Sequence, residues 1–474
     1  MTNAPQPKLE DPSFAGASAL AAAIRSRRLG AVELLEHLLE RIARFNPRIN
    51  AIVTLDEEGA RRRARAADDA TSRGESWGPL HGVPFTLKDG LATSGLRTTC
   101  GFPPLADYVP KEDSTVAARL RAAGGILLGK TNVPPLLALP QTDNEIFGRT
   151  NNPWNLERTP GGSSGGAAAA LAAGLVPLEV GSDLAGSIRM PAHFCGVFGL
   201  KPTTRRIPLT GHIPEVPGAP RFERALGVVG PMARSVEDLT LAFRLLAGPD
   251  GRDTDVAPVP VSEPAAPPLR SLRIAFAPTF PGVPVARAIR DALERLAGEL
   301  ASAGARVEEK LPAVSFEEQH QLWAKNFRWF AWMSVHLSGA PATERTRALE
   351  PPTAVDLLHM AQRRDELILA WDRLFDDFDV LLCPPAMVTA FPHIQPSTPI
   401  SVDGVPATYG QINHHCFPFN LTGQPAVVLP IAIDDEGLPI GAQLVGRRWQ
   451  DERLLAITAR VSGIPRSFHP PPGF

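Results

Sequence analysis

Cysteine is scarce and unpatterned in this chain. Cys100, Cys195, Cys383 and Cys416 are scattered with no Cys-x-x-Cys spacing, so neither a disulfide framework nor a zinc site is indicated and reduced thiols are expected. Charge of one sign is also lacking: 48 basic side chains stand against 50 acidic ones, for a formal charge of -2. No Lys/Arg cluster offers a footprint for nucleic acid or a membrane surface, and the densest basic run, Arg61-Arg62-Arg63, reads as the solvated face of a helix. A small neutral partner suits this balance better. Long apolar runs are absent too. The longest, Ala167 to Leu178, is alanine-rich, broken by Gly174 and Pro177, and too short to cross a bilayer. The first eleven residues lack the charged-then-apolar layout of a signal peptide. These absences lead us to expect a cytoplasmic protein with no transmembrane segment and no metal or other cofactor.

What is present suffices for a large buried core: 474 residues, 44% apolar and 21% charged. Ser18 can cap a helix from Ala19 to Leu29 that Gly30 ends, and a second helix runs from Ala31 to about Phe45 before Pro47. A polar helix follows over Glu57 to Arg73, and then a short apolar strand that ends in Lys88-Asp89 and Gly90. Asp113 to Ala123 reads as a helix, Gly125 to Leu128 as a buried strand and Ala167 to Ala173 as a helix. Pro249 to Pro268 is a surface connection. Beyond it come a strand at Leu272 to Phe276, a helix at Val285 to Ala303, a strand start at Arg306 to Glu309, helices at Phe316 to Leu337 and Ala354 to Phe375, and a strand at Val380 to Cys383. Helices alternating with short apolar strands predict an α/β sheet.

Three motifs compete for the chemistry. Gly124-Gly125-Ile126-Leu127-Leu128-Gly129-Lys130-Thr131 fits the G-x-x-x-x-G-K-T pattern of a phosphate-binding loop. Its context argues against that role, because a helix precedes it, the Ile-Leu-Leu centre favours a buried strand, and Pro134-Pro135 would break a following helix. Gly161-Gly162-Ser163-Ser164-Gly165 fits the G-x-S-x-G nucleophile elbow, with a histidine completing a triad. An elbow is entered from an apolar strand, whereas Asn151 to Pro160 is polar and interrupted by proline. The third reading joins Lys88 at its strand end to two serines in small-residue loops, Ser163 and Ser187. Glycine around these serines presents their hydroxyls rather than packing them.

The long block from Pro160-Gly161-Gly162-Ser163-Ser164-Gly165-Gly166 through Gly181-Ser182-Asp183-Leu184-Ala185-Gly186-Ser187-Ile188-Arg189 to Gly199-Leu200-Lys201-Pro202-Thr203 resembles the amidase signature family. So do His81 to Asp89, Gly129-Lys130-Thr131-Asn132 and Gly230 to Asp238. The resemblance implies an α/β fold, a twisted mixed sheet of about ten or eleven strands covered on both faces by helices. It implies one domain over residues 1–474, with N-terminal helices at 15–60, the signature core at 61–247, a Pro-rich surface connection at 248–270, and residues 271–474 completing the sheet and pocket. It implies a catalytic triad of Ser187 as nucleophile, Ser163 as bridging serine, usually in a cis peptide, and Lys88 as base. Backbone amides of Leu184, Ala185, Gly186 and Ser187 would form the oxyanion hole, with Ser164, Asp183 and Arg189 in support. A serine hydroxyl is a weak nucleophile until a neighbour takes its proton. The lysine must therefore be neutral at rest, which requires burial and nearby donors or positive charge.

Two departures stand out. Ala185 occupies a position where many relatives have glycine, and in Thr131-Asn132-Val133-Pro134-Pro135-Leu136 proline falls where relatives often carry Glu. The expected activity is hydrolysis of an amide, with carbamate or ester cleavage as side activities, by a monomer or homodimer. The alternative is the A subunit of a glutamyl-tRNA amidotransferase, which needs a partner protein. Asn152 to Pro160 is similar to hydrolases of nylon oligomers and urethanes. Leu136 to Thr142, Pro208 to Arg221, the helix bearing Trp323, Phe327 and Trp329, and His414 to Phe419 are the candidate substrate walls. Their apolar and aromatic content suggests a hydrophobic or aromatic substrate.

Overall fold

The computed structural model describes residues 11–213, 226–338, 350–464 and 468–474. Thirteen strands occur among them: β1 Ile52–Leu55, β2 Pro84–Lys88, β3 Ile126–Thr131, β4 Leu178–Asp183, β5 Phe198–Lys201, β6 Val228–Ala233, β7 Arg273–Phe276, β8 Arg306–Glu309, β9 Val380–Cys383, β10 Ile400–Val402, β11 Val405–Ala407, β12 Ala426–Ile433 and β13 Pro439–Val445. The α-helices are α1 Ala17–Arg25, α2 Ala31–Ile49, α3 Glu57–Ser72, α4 Thr115–Ala122, α5 Gly165–Ala172, α6 Arg189–Cys195, α7 Val236–Leu246, α8 Arg287–Ser302, α9 Phe316–Ser338, α10 Ala354–Asp377, α11 Phe417–Thr422 and α12 Asp451–Val461.

Eleven strands form one mixed sheet in the order β1-β3-β2-β4-β6-β5-β12-β13-β9-β7-β8, and β10 and β11 make a separate hairpin. The triplet β3-β2-β4 is parallel, as is β9-β7-β8, and the strands between them run antiparallel. Every residue of β2, β3, β4, β5, β6, β9 and β13 is buried, the signature of a sheet covered on both faces. The expected α/β fold, with its mixed sheet of ten or eleven strands, is the one found. No helix among the described residues is long and apolar enough to cross a membrane. All four cysteines are buried, and none forms a disulfide among the described residues.

Several elements differ from the sequence reading. The first helix starts at Ala17 rather than Ala19, and Ser18 lies inside it. Its exposed amides are satisfied from a distance: Asp238 on α7 accepts from the Ala17 and Ser18 amides, each at 2.8 Å, and from Ser18 Oγ at 2.7 Å. A carboxylate at a helix N-terminus thus replaces the expected local cap. Helix α2 continues through Pro47 to Ile49 and ends on Asn50 in the left-handed region. A proline this close to the C-terminus forfeits one intrahelical bond, while the helix buries Phe45 and Ile49 at and beyond the predicted end. Strand β3 runs on through Gly129, Lys130 and Thr131, so the G-K-T motif is extended and wholly buried, not a phosphate loop. Glycine is required at 129 because a Cβ there would overlap the carbonyl of Thr54 on neighbouring β1. Residues 151–160 contain only isolated bridges and no strand, which removes the elbow reading.

Candidate active site

The parallel triplet β3-β2-β4 ends on one edge, and ligand sites in α/β sheets favour such carboxyl ends. Lys88 is the last residue of β2 and Asp183 the last of β4. Register pairs Leu87 with Val180, which brings Lys88 beside Gly181 and Ser182. The lysine is fully buried. Its Nζ donates to Ser163 Oγ at 2.7 Å, to Ser164 Oγ and Ser182 Oγ at 3.0 Å each, and to the Ser182 carbonyl at 3.3 Å.

Ser163 precedes α5, and the peptide joining it to Gly162 is cis. The segment at 139–141 presses against this turn: a Cβ on Gly162 would come within 2.6 Å of the Leu139 carbonyl. Only glycine leaves that room. Thr142 Oγ1 donates to the Gly161 carbonyl at 2.8 Å. The second serine loop is tied to the first through the backbone, with the Ser164 amide donating to the Ser187 carbonyl at 3.1 Å. Ser187 is half-buried, whereas Ser163 and Ser164 are buried. Of the predicted triad, Lys88 and Ser163 share a direct hydrogen bond, and Ser187 sits at the accessible end of the adjoining loop.

The loop 184–187 is held from both sides. Asp183 accepts from the Gly186 amide at 2.8 Å and the Ile188 amide at 3.1 Å, and makes paired bonds to Arg189 at 2.9 and 3.0 Å. Burial alone would raise the Asp183 pKa, yet the Arg189 guanidinium and these hydrogen bonds outweigh it and hold the carboxyl well below the usual carboxylate range. Arg189 is itself fully buried, and its Nη1 donates to Gln443 Oε1 at 2.8 Å and the Cys416 carbonyl at 3.1 Å. Asp183 and Arg189 thus form a charge-assisted network under the loop.

One of the four expected oxyanion donors is spoken for. The Gly186 amide is directed at Asp183 rather than at the cleft, because the carboxylate folds back under its own loop. The amides of Leu184, Ala185 and Ser187 make no hydrogen bond among the described residues. Two carbonyls of the loop are pinned by side chains: Trp323 Nε1 on α9 donates to Leu184 O at 3.2 Å, and Asn413 Nδ2 to Ala185 O at 2.5 Å. Ala185 lies outside the left-handed region, which Gly186 occupies instead with φ 106°. The alanine therefore fits its backbone without strain. A Cβ on Gly186 would approach Cys416 Sγ to 2.9 Å.

Aromatic side chains wall this loop. Trp323 stacks on Phe417 at 4.1 Å and on Phe327 at 5.2 Å, and His414 packs against His320 at 3.9 Å. Leu184 and Ala185 pack against the cluster that holds Trp323, Leu322 and Phe417. Burial holds His414 and His415 neutral, each lowered to about 3. Of the predicted walls, the α9 helix and His414 to Phe419 adjoin the 184–187 loop, and 136–142 adjoins Ser163; residues 214–221 of the fourth lie outside the described residues. Sequence reasoning missed Ser182, Asn413, Gln443 and Asn420, whose Nδ2 donates to Asp183 Oδ1 at 3.0 Å. Ser182 stood inside the matching block, whereas the other three come from chain more than 200 residues away and carry no local signal.

A buried amine thus shares a hydrogen bond with one serine, and the backbone beside that serine is tied to the loop that carries a second. The family model named Amidase matches residues 33–455, and the chain belongs to that family. It is 34% identical over 471 residues to an acylamidase from Rhodococcus erythropolis, covering 94% of this chain and 95% of the relative. It is 36% identical to the A subunit of the glutamyl-tRNA(Gln) amidotransferase of Roseiflexus sp. strain RS-1, covering 92% and 93%. Among solved structures, 6-aminohexanoate cyclic dimer hydrolase complexed with substrate superposes with a TM-score of 0.83 at 30% identity, over 98% of this chain and 99% of that one.

Proposed function

We propose that this member of the amidase family hydrolyses small, hydrophobic or aromatic amides through an acyl-enzyme on Ser187. The observation that carries the reading is the buried Lys88 Nζ at 2.7 Å from Ser163 Oγ, with Ser187 on the adjoining half-buried loop. Neutral Lys88 accepts a proton from Ser163, which takes one from Ser187 as that hydroxyl attacks the amide carbon. The developing oxyanion is received by the amides of Leu184, Ala185 and Ser187, and Gly186 acts by shaping the loop instead. The leaving amine takes its proton from Ser163, and water then attacks the ester so that Ser187 is regenerated. The aromatic wall at Trp323, Phe327 and Phe417 supports an apolar group on the substrate. The acylamidase relative agrees with this, and the same centre would accept esters and carbamates more weakly.

The likeness to an amidotransferase component supports a second reading, in which the site releases ammonia from glutamine for a partner protein. The apolar wall beside Ala185 favours the first. Wild type and the Lys88→Ala, Ser163→Ala and Ser187→Ala variants, assayed without any partner on anilide, ester and carbamate substrates, decide the matter. Full activity in Ser187→Ala overturns the mechanism. Turnover only of glutamine, and only with a second protein present, selects the amidotransferase.

A further inference from the structure

Glu179, which the proposed mechanism leaves unused, lies fully buried on β4. Register pairs Glu179 with Thr86 on β2 and Thr131 on β3 with Lys88. Paired residues of parallel strands share a face, so Thr86, Lys88, Thr131 and Glu179 all point to one side of the sheet. Thr131 Oγ1 donates to Glu179 Oε1 at 2.7 Å. Since β2 is the strand between β3 and β4, the carboxyl spans β2 diagonally, between Thr86 and Lys88. Its other oxygen, Oε2, and the Thr86 hydroxyl have no well-formed hydrogen bond among the described residues. A buried carboxyl with one oxygen unsatisfied is costly unless the site uses its charge.

We propose, building on the hydrolase reading above, that Glu179 is a positioning residue whose carboxyl sets the protonation of Lys88 across β2. An ionised carboxyl there favours the lysine ammonium and withholds the base, whereas a protonated one leaves the amine free to accept a proton from Ser163. Once the lysine has taken that proton, the same carboxyl is the group that steadies its charge. Burial raises Glu179 to about 7 against the pull of the Thr131 hydroxyl, so its charge changes in the range where such an enzyme would work.

Lys88 is the cation that register places on the same face of β2 as this carboxyl. Helix α5, which packs on this part of the sheet, carries only Gly, Ala and Leu. Neighbouring β6 and edge strand β1 have no titratable side chain. Lys130 pairs in register with Leu87, on the opposite face, and faces Asp89 at 3.8 Å; its field on Glu179 is a minor one. Asp183, further along β4, is bound to Arg189.

The test is the pH dependence of kcat/KM toward an acyl anilide. Removing the charge in Glu179→Gln lowers the pH at which Lys88 becomes neutral, so the rising limb moves to lower pH by about one unit, the order expected of one buried charge on the same face. Thr131→Val removes the hydroxyl that favours the ionised carboxyl and shifts the limb the same way by less, and it keeps the question open to measurement if Glu179→Gln does not fold. Limbs that stay within about 0.2 unit of wild type in the folded variants, or a loss of activity equal at every pH, overturn the proposal. Lys88→Ala serves as the control for the underlying reading: if it stays active, the hydrolase mechanism fails rather than this inference.

Discussion

Two lysines stand near the carboxyl ends of adjacent strands in the same parallel triplet, both wholly buried, yet they live in opposite surroundings. Lys88 on β2 is met by three serine hydroxyls and a carbonyl. Lys130 on β3 is met by the Leu91 carbonyl, Thr93 and Thr98, and it faces the Asp89 carboxylate at 3.8 Å. Asp89 in turn accepts two bonds from Thr99, so Lys130 and Asp89 staple the 89–101 segment to the sheet. Burial lowers the Lys130 pKa while Asp89 opposes that effect. The difference teaches that burial alone does not make a lysine a base. Both amines meet hydroxyls, so what separates them is the Asp89 carboxylate beside Lys130, which favours the charged form there.

The largest effects test this contrast directly. Lys88→Ala is expected to lower kcat by at least about 10³-fold, since it removes the proton acceptor, and to cost the less stability of the two variants. Lys130→Ala is expected to do the reverse. It strands Asp89 in the interior, at about 3–5 kcal/mol of stability, while any folded fraction keeps its turnover number. Chemical denaturation together with steady-state kinetics on both variants checks the pair, and equal losses of activity in the two would erase the distinction. The double variant Lys130→Met/Asp89→Asn should recover part of the stability, because the stranded charge is gone.

Lys88, Ser163 and Ser187, the proposed triad, could be singled out because they sit in contiguous motif blocks, and glycines such as Gly162 and Gly186 mark where another chain segment presses on the backbone. The centre of the sheet was not legible. Strands β4, β6, β12 and β13 contain Gly181, Gly230-Pro231, Pro430 and Gly441, residues that argue against a strand when read locally. Tertiary packing overrides that rule: a Cβ on Gly230 would overlap the Leu200 carbonyl of β5, so the close crossing of strands is what demands glycine. Pro231 lies in register with Val180 on β4 and outside the two residues of β6 that pair with β5. Asp238 capping α1, and Trp323 and Asn413 pinning the 184–187 loop, are likewise contacts over more than 130 residues. No local pattern encodes them.

Those two pins give the next prediction, and they extend the contrast from the base to the oxyanion loop. A carbonyl held on one side of a peptide plane turns the following amide to the other, so Trp323 sets the Ala185 amide and Asn413 sets that of Gly186. Trp323→Phe keeps the aromatic stack on Phe417 and deletes only the donor. It is expected to lower kcat about tenfold with KM within a factor of two, the mark of an interaction needed in the transition state. Asn413→Ala should act in the same sense, with a smaller effect because Asp183 also holds the Gly186 amide. A rise in KM at unchanged kcat would assign both residues to substrate binding instead.

A third buried lysine sharpens the comparison at the smallest scale. Lys201 at the end of β5 donates to the Pro202 carbonyl at 2.8 Å. Burial and the nearby Arg189 guanidinium lower its amine to about 7, with Asp183 and Asp451 pulling the other way. An unfolded lysine keeps its proton to about pH 10.4. Between about 7 and that value the unfolded chain therefore binds the extra proton, and stability must rise with pH through this window. Lys201→Met fills similar space without a charge and removes this contribution. Relative to that variant, wild type should gain about 1–2 kcal/mol of unfolding free energy between pH 7 and pH 8.5, measured by guanidinium denaturation at the two values. Parallel pH dependences would mean that Lys201 stays charged throughout, held by Asp183 and Asp451, and would place it beside Lys130 rather than between the two.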